Sequence, residues 1–392
     1  MPLHALEHYD ISAKRGFLCR YDPSSIVLEG DWAHAAKIAM SLPDLIPSGR
    51  VRHLLETRLP DGLGNEHVAG LSDHQARMAM VHYSFLVQSY VWGEAEAPKI
   101  LPRTLAKPIS ALADRLGQQP LLPYSGYVLD NWSLLDPAGD VSMDNIYMIQ
   151  NFLAGQDEAW FVLIHVAIEA AMGPALGVMP DIIQGVKTGD LDGVQSKLEN
   201  MANVWETIKH IFYRMPERCD PYIYFERVRP YIHGWKDNPA LPNGLIYEGV
   251  EKYEGRPQAF RGQTGSQSSI VPAMDALLGI GHAADPLKTF LDQLHIYRPT
   301  GHRQFIDDLR ATSGLRDFAR TSGHKGLITA YNANVQAVSD FRTRHLEYAA
   351  SYIFKQGKTA QGNDNEVGTG GTPFMKYLKK HRDETEANLL VA

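Results

Sequence analysis

Residues 326–355 read GLITAYNANVQAVSDFRTRHLEYAASYIFK, and within them Tyr331, Val335, Val338, Arg342, His345, Ala349 and Tyr352 recur at steps of 4, 3, 4, 3, 4 and 3. Steps of three and four return a side chain to one face of a helix with 3.6 residues per turn, so a single long helix carries all seven on one stripe. Arg342 and His345 interrupt an otherwise apolar and aromatic face. Polar groups on a core-facing stripe need partners, which makes these two the first residues to explain.

Working outward, Leu191, Val194, Leu198, Met201, Val204, Trp205 and Ile208 form a second stripe, which predicts a helix over Asp190–Tyr213. SDHQARMAMVHYSFLVQSYVW (72–92) reads as a helix capped by Ser72, and DWAHAAKIAMS (31–41) as an Ala-rich one. Pro98, Pro102 and Pro108 suggest a linker ahead of a short helix at 111–117, followed by a Tyr-rich loop around PYSGY (123–127). VSMDNIYMIQNFLAG (141–155) reads as a helix capped by Ser142, and a second apolar helix follows from Asp157. Residues 236–269 read as a long loop, of the kind that carries function in a compact domain. Ser269 is the expected cap of IVPAMDALLGIG, and 300–312 is the expected next helix. QGKTAQGNDNEVGTGGTP (356–373) is too polar to bury a face and is expected to move. Strand patterns are almost absent, so the expected class is all-α, in about two domains.

Lys and Arg total 38 against 45 Asp and Glu, a net charge of −7. That balance supplies no basic surface for nucleic acid or an anionic membrane. The longest apolar run, Ala159–Met172, is broken by His165 and Glu169 and falls short of the roughly 20 residues a membrane span needs. Two cysteines, Cys19 and Cys219, cannot form a disulfide scaffold or a Cys-rich zinc site, and the first residues lack a secretory pattern. A cytoplasmic location is the expectation.

Several features bear on chemistry. His345 is either a buried histidine satisfied by one hydrogen bond or a metal or haem ligand, with Arg342 one turn away and suited to a carboxylate. His165 lies in an apolar helix one turn after Phe161, either as a satisfied core residue or as a polar contact inside an apolar pocket. YIYFERVR (222–229) can form an aromatic slot ending in a guanidinium, or a salt-bridged surface. GQTGS (262–266) and GTGGT (368–372) can present backbone N–H groups and hydroxyls to a ligand. Neither matches a phosphate loop or a dinucleotide fingerprint, and HIYRPTGH (295–302) lacks a third zinc ligand.

Taken in order, PYSGYVLDNW, WFVLIHVAIEAA, YFERVRPYIHGWKDNP with NGLIYEG, GSQSSIVPAMDALLGI, HRQFI, FRTRHLEYAASYI and GTGGTPFMKYLK resemble the indoleamine 2,3-dioxygenase family, from about Ser48 to the end of the chain. The resemblance implies an all-α fold in which a small N-terminal domain (1–151) caps a large helical domain (152–392) holding haem b, ferrous when active. An inter-domain loop near 258–268 and a mobile lid near 357–373 are implied with it. It implies His345 as the proximal iron ligand, Arg342 and Asp275 in the propionate network, and Gly265 near the haem. Phe161, Tyr224 and Phe225 are implied around an indole, Arg229 on the substrate carboxylate, and Tyr124, Tyr127, Thr264, Gly265 and Thr369 around the same pocket. The implied reaction is cleavage of the indole C2–C3 bond of L-tryptophan by O2 to N-formylkynurenine, with a reductant keeping the iron ferrous.

Three positions depart from the animal pattern: His165 replaces serine, Tyr224 phenylalanine and Tyr127 cysteine. A distal histidine is similar to the tryptophan 2,3-dioxygenase branch, where it accepts from the indole N–H, and this implies a catalytic role for His165. The departures leave two other readings: insertion of a single oxygen atom into an indole derivative in secondary metabolism, and a haem sensor or oxygen carrier without turnover.

Overall fold

A computed structural model describes residues 3–284, 286–357, 366–369 and 374–391. The expected long helix is present as Lys325–Ala349, with His324 accepting from the Leu327 N–H at its start. It packs against Leu191–Tyr213 and against a C-terminal helix, Phe374–Glu386, that no sequence pattern announced. Asn334 donates to the Leu198 carbonyl at 2.8 Å, Phe212 stacks on Phe341 at 4.9 Å, and Ser339 donates to Glu386 at 2.8 Å. The helix therefore buries against two others, and Asn334 and Ser339 bond at the seams.

The helix at 73–92 begins with the full capping box: Ser72 accepts from the Gln75 N–H, and Gln75 accepts from the Ser72 N–H. The expected proline linker holds only as far as Pro102; from Arg103 on it is helical. One helix runs Arg103–Leu116 with Pro108 inside it. An internal proline costs about 3 kcal/mol. Leu105, Ile109 and Leu112 on that helix are fully buried, and at roughly 1.5–3 kcal/mol each they outweigh that cost.

The helix expected over 141–155 is also absent; Ile146–Tyr147 instead pairs antiparallel with Ser133–Leu134. Side chains take the backbone donors there. Glu158 accepts from the Phe152 and Leu153 N–H groups at 2.8 and 3.0 Å, and Asn131 accepts from Gln150 N–H at 2.8 Å. The helix at Ile270–Leu278 forms as expected, but Ser268 rather than Ser269 accepts from its first N–H, at 3.3 Å.

Gln156–Ala171 runs almost directly into Gly173–Thr188, making 33 residues that are long and apolar enough to cross a membrane by length and composition. The 14-residue apolar run thus understated the stretch; two-thirds of its most apolar window is buried inside the protein. The N-terminal strap docks at this junction. Gly16 has φ +60°, and a Cβ there would lie 1.9 Å from the Glu169 carbonyl oxygen, so only glycine allows the approach.

Three π-helical turns occur among the described residues: 125–129, 224–228 and 350–354. The first replaces the expected Tyr-rich loop. Each holds a tyrosine, Tyr127, Tyr224 and Tyr352, at or behind one cavity. A π turn inserts a residue and rotates the side chains beyond it, which fits its frequent use at functional sites.

Candidate active site

Two adjoining cavities, about 160 and 630 Å³, share His165, Gly265 and His345 among their walls. Phe161, Tyr224, Tyr352 and Thr369 line the smaller; Tyr124, Glu169, Asp275 and Arg342 line the larger. Residues about 180 apart in sequence thus meet at one space.

His345 sits deep in the protein but keeps part of its surface against the cavity. Burial, reinforced by His165, lowers its pKa to about 4, so the ring is neutral. Neither ring nitrogen has a hydrogen bond to a described residue. A neutral imidazole lone pair facing a cavity is available to a metal.

His165 is held differently. Its Nδ1 lies 2.7 Å from the Phe161 carbonyl oxygen. A carbonyl only accepts, so Nδ1 carries the proton and Nε2 is left as an acceptor while burial keeps the ring neutral. Phe161 and Tyr224 rings lie 4.7 Å apart by centroid, and Phe161 and His165 are equally close. The result is an aromatic slot with one acceptor.

Arg342 donates to Asp275 Oδ2 at 2.6 Å and to Thr385 Oγ1, so Arg342 and Asp275 lie in one network. Arg342 and His282 hold the Asp275 carboxyl below its usual range despite burial. Thr264 and Gly265 lie on the cavity wall, and Thr369 donates to the Gln263 carbonyl at 2.6 Å. Gly234 and Gly262 let three segments cross beneath it: a Cβ on Gly262 would lie 2.2 Å from Gly234 N and 2.5 Å from the Thr369 carbonyl oxygen. Of the expected lid, 358–365 and 370–373 lie outside the described residues.

Other expected residues stand back from the cavities. Phe225 is fully buried beneath Arg229, with the guanidinium 5.4 Å from its ring centre. Arg229 is itself fully buried and donates to the Val367 carbonyl, within the expected lid. Tyr127 packs behind Phe161 at 6.4 Å, and its hydroxyl has no partner among the described residues. Tyr124 lines the larger cavity, but its hydroxyl donates to Glu169 Oε1 at 2.8 Å, where Ser268 also donates at 2.6 Å.

Glu169 did not stand out in the sequence, although it lies four residues after His165 on the same helical face. Burial raises its carboxyl from 4.5 to about 7. Tyr352 and His381 join the wall unannounced too; Tyr352 counted only as helix stripe, and His381 lies on the C-terminal helix that no pattern marked.

The family described as indoleamine 2,3-dioxygenase matches residues 5–388. Indoleamine 2,3-dioxygenase 1 of Rattus norvegicus is 33% identical, covering 98% of this chain and 96% of that protein. Indoleamine 2,3-dioxygenase 2 of Homo sapiens is 32% identical over 98% and 96%, and the Saccharomyces cerevisiae indoleamine 2,3-dioxygenase is 28% identical over 98% and 94%. The chain belongs to the indoleamine 2,3-dioxygenase family. Members of that family are haem-dependent oxidoreductases, and this chain is an enzyme of that class.

The residues present fit a haem. His345 offers a neutral nitrogen with no described protein partner, the walls beside it are largely apolar, and Arg342, Lys288 and Arg298 line the larger cavity where carboxylates need cations.

Proposed function

We propose that the enzyme opens the indole C2–C3 bond of L-tryptophan with O2 to give N-formylkynurenine, using ferrous haem b held by His345 within a domain at 152–392. The fixed tautomer of His165 inside the aromatic slot carries this reading: it puts a hydrogen-bond acceptor where an indole N–H enters. When bound, the haem supplies oxygen activation, and the side chains supply position and electrostatics.

Phe161 and Tyr224 stack on the indole and keep water from it. His165 Nε2 accepts from the indole N–H, while Nδ1–H stays on the Phe161 carbonyl, so this histidine orients the ring without charging. Arg229 takes the substrate carboxylate in exchange for the Val367 carbonyl. That exchange couples substrate entry to the stretch around Val367 and Thr369. Tyr124 and Tyr127 bring the 1–151 domain to the same pocket.

A second reading, insertion of one oxygen atom into an indole derivative, is favoured by the Tyr127 hydroxyl, which has no partner among the described residues and adds polarity behind the slot. Reducing the purified holoenzyme anaerobically, then adding tryptophan and O2, separates the two by product mass. Two oxygen atoms gained support the dioxygenase; one supports the alternative. Haem that binds O2 reversibly with no product leaves a carrier or sensor.

A further inference from the structure

At one end of the larger cavity three segments meet, and one of their residues, His381, also lines the smaller cavity. Asp275 comes from the 270–278 helix, His282 from the loop after it, and His381 and Glu384 from the C-terminal helix. We propose that His282, His381 and Glu384 form a binding site for a divalent transition-metal ion of the zinc class, distinct from the haem iron.

One ligand atom from each of the three lies within 4.8 Å of the others. Tetrahedral ligands with bonds of about 2.0–2.2 Å sit about 3.3–3.6 Å apart, so side-chain adjustments of about an ångström close the shell. His381 and Glu384 are three residues apart on one helix and share a face by construction. His381 supplies the observation that points to a ligand: it is 7% exposed, yet its Nε2 has no hydrogen-bond partner among the described residues. A buried ring nitrogen left this way is costly unless something occupies it.

The surroundings orient the other two ligands. His282 Nδ1 lies 2.7 Å from Glu384 Oε2, and its Nε2 lies 3.1 Å from Asp275 Oδ2, which Arg342 holds. The Ala283 N–H reaches Glu384 Oε1 at 3.3 Å and keeps the other carboxylate oxygen aimed at the histidine. This is the carboxylate–histidine–metal arrangement, in which the far nitrogen keeps its proton on an acid and the near one binds the metal. Without metal, the Nδ1 proton of His282 bridges to Glu384. Binding replaces that bridge and releases one proton to solvent, and a water completes four-coordination.

Two cations temper the site. Lys380 Nζ is 3.4 Å from Glu384 Oε1, and Arg342 Nη2 is 3.4 Å from His282 Nε2. They offset part of the acidic charge, so the site suits a reversible ion with two nitrogen donors rather than calcium or magnesium. The bound ion ties the C-terminal helix, which comes after the lid, to the loop beside Arg342, one turn from His345. Nothing in this rests on which indole is the substrate.

The test uses untagged holoenzyme, dialysed against a chelator and titrated with zinc sulfate by calorimetry in buffers of different ionisation enthalpy. Equilibrium dialysis with metal analysis fixes the stoichiometry, and Soret absorbance tracks haem content. One zinc per chain is expected, with proton release and a zinc-dependent rise in Tm. His381→Ala and Glu384→Gln should each weaken binding at least about tenfold. Glu384→Gln preserves shape, so a folding failure of one variant leaves the other decisive. Absence of stoichiometric zinc, or wild-type affinity in both variants, overturns the site. Loss of haem from His381→Ala with zinc affinity unchanged also overturns it, and assigns the cluster to the carboxylates of the haem.

Discussion

His345 reaches the cavity from the last turns of one 25-residue helix, whereas the rest of the wall is drawn from several separate segments. Phe161 and His165 share a helix; Tyr224 and Tyr352 come from π turns; Gln263, Thr264 and Thr369 come from loops tied to one another through Gly234 and Gly262. A group delivered by one rigid element either is present or is not. A wall assembled from many weak contributions loses function by degrees. The two regions should therefore respond to substitution on different scales.

The largest effect is expected at His345. His345→Ala should fold, since its stripe neighbours Val338 and Tyr352 stay buried, but should purify with little haem. A full Soret band in that variant would end the distinction between the two regions.

Arg229→Ala comes next. A buried charge-assisted bond is worth about 1.5–3 kcal/mol, so kcat/KM for tryptophan should fall at least about tenfold while haem content holds. Tryptamine, which lacks the carboxylate, should be a poor substrate for the wild type and little affected by the substitution. Equal use of tryptamine and tryptophan by the wild type removes Arg229 as the carboxylate's partner.

His165→Ser sharpens the comparison on a smaller scale. Losing one neutral hydrogen bond costs roughly 0.5–1.5 kcal/mol, a few-fold to about tenfold in tryptophan kcat/KM. 1-Methyltryptophan has no indole N–H, so its penalty relative to tryptophan should shrink in the variant. An unchanged penalty makes it steric and leaves His165 a packing residue.

Glu169→Gln should show the smallest change, visible in stability against pH. The folded carboxyl titrates near 7 because burial disfavours its charge, above the unfolded value of 4.5. Folding therefore favours the protonated form. That contribution is full below about pH 4.5 and is lost as pH rises through 7. Urea denaturation of the variant at a series of pH values should show a shallower decline across this window than the wild type. Glu158, raised to about 7 by the same cause, retains its share of the slope. Superimposable profiles would show that Glu169 is already ionised in the folded protein.

Fold and site were legible in the sequence to different depths. Helices 191–213 and 325–349 announced themselves because burial against neighbouring helices imposes a 3.6-residue period, and such a period survives in the text. Arg342 and His345 stood out for the same reason: each breaks an apolar stripe. Pro108 points the wrong way because local propensity is outweighed by three buried side chains. Residues 141–155 do the same because Glu158 and Asn131, both outside the segment, take its backbone donors.

Composition and periodicity by themselves determined an α-helical protein with a histidine on a core-facing stripe, and the ordered motifs determined the family. Tertiary structure alone decided that His165 presents Nε2, because the Phe161 carbonyl stands 2.7 Å from Nδ1. It alone placed Phe225 and Tyr127 behind the wall and Arg229 against Val367, and gathered His282, His381 and Glu384. The physical reason is range. A period records what one element buries, while a pocket is a meeting of side chains from distant segments, and no local pattern records which of them will touch.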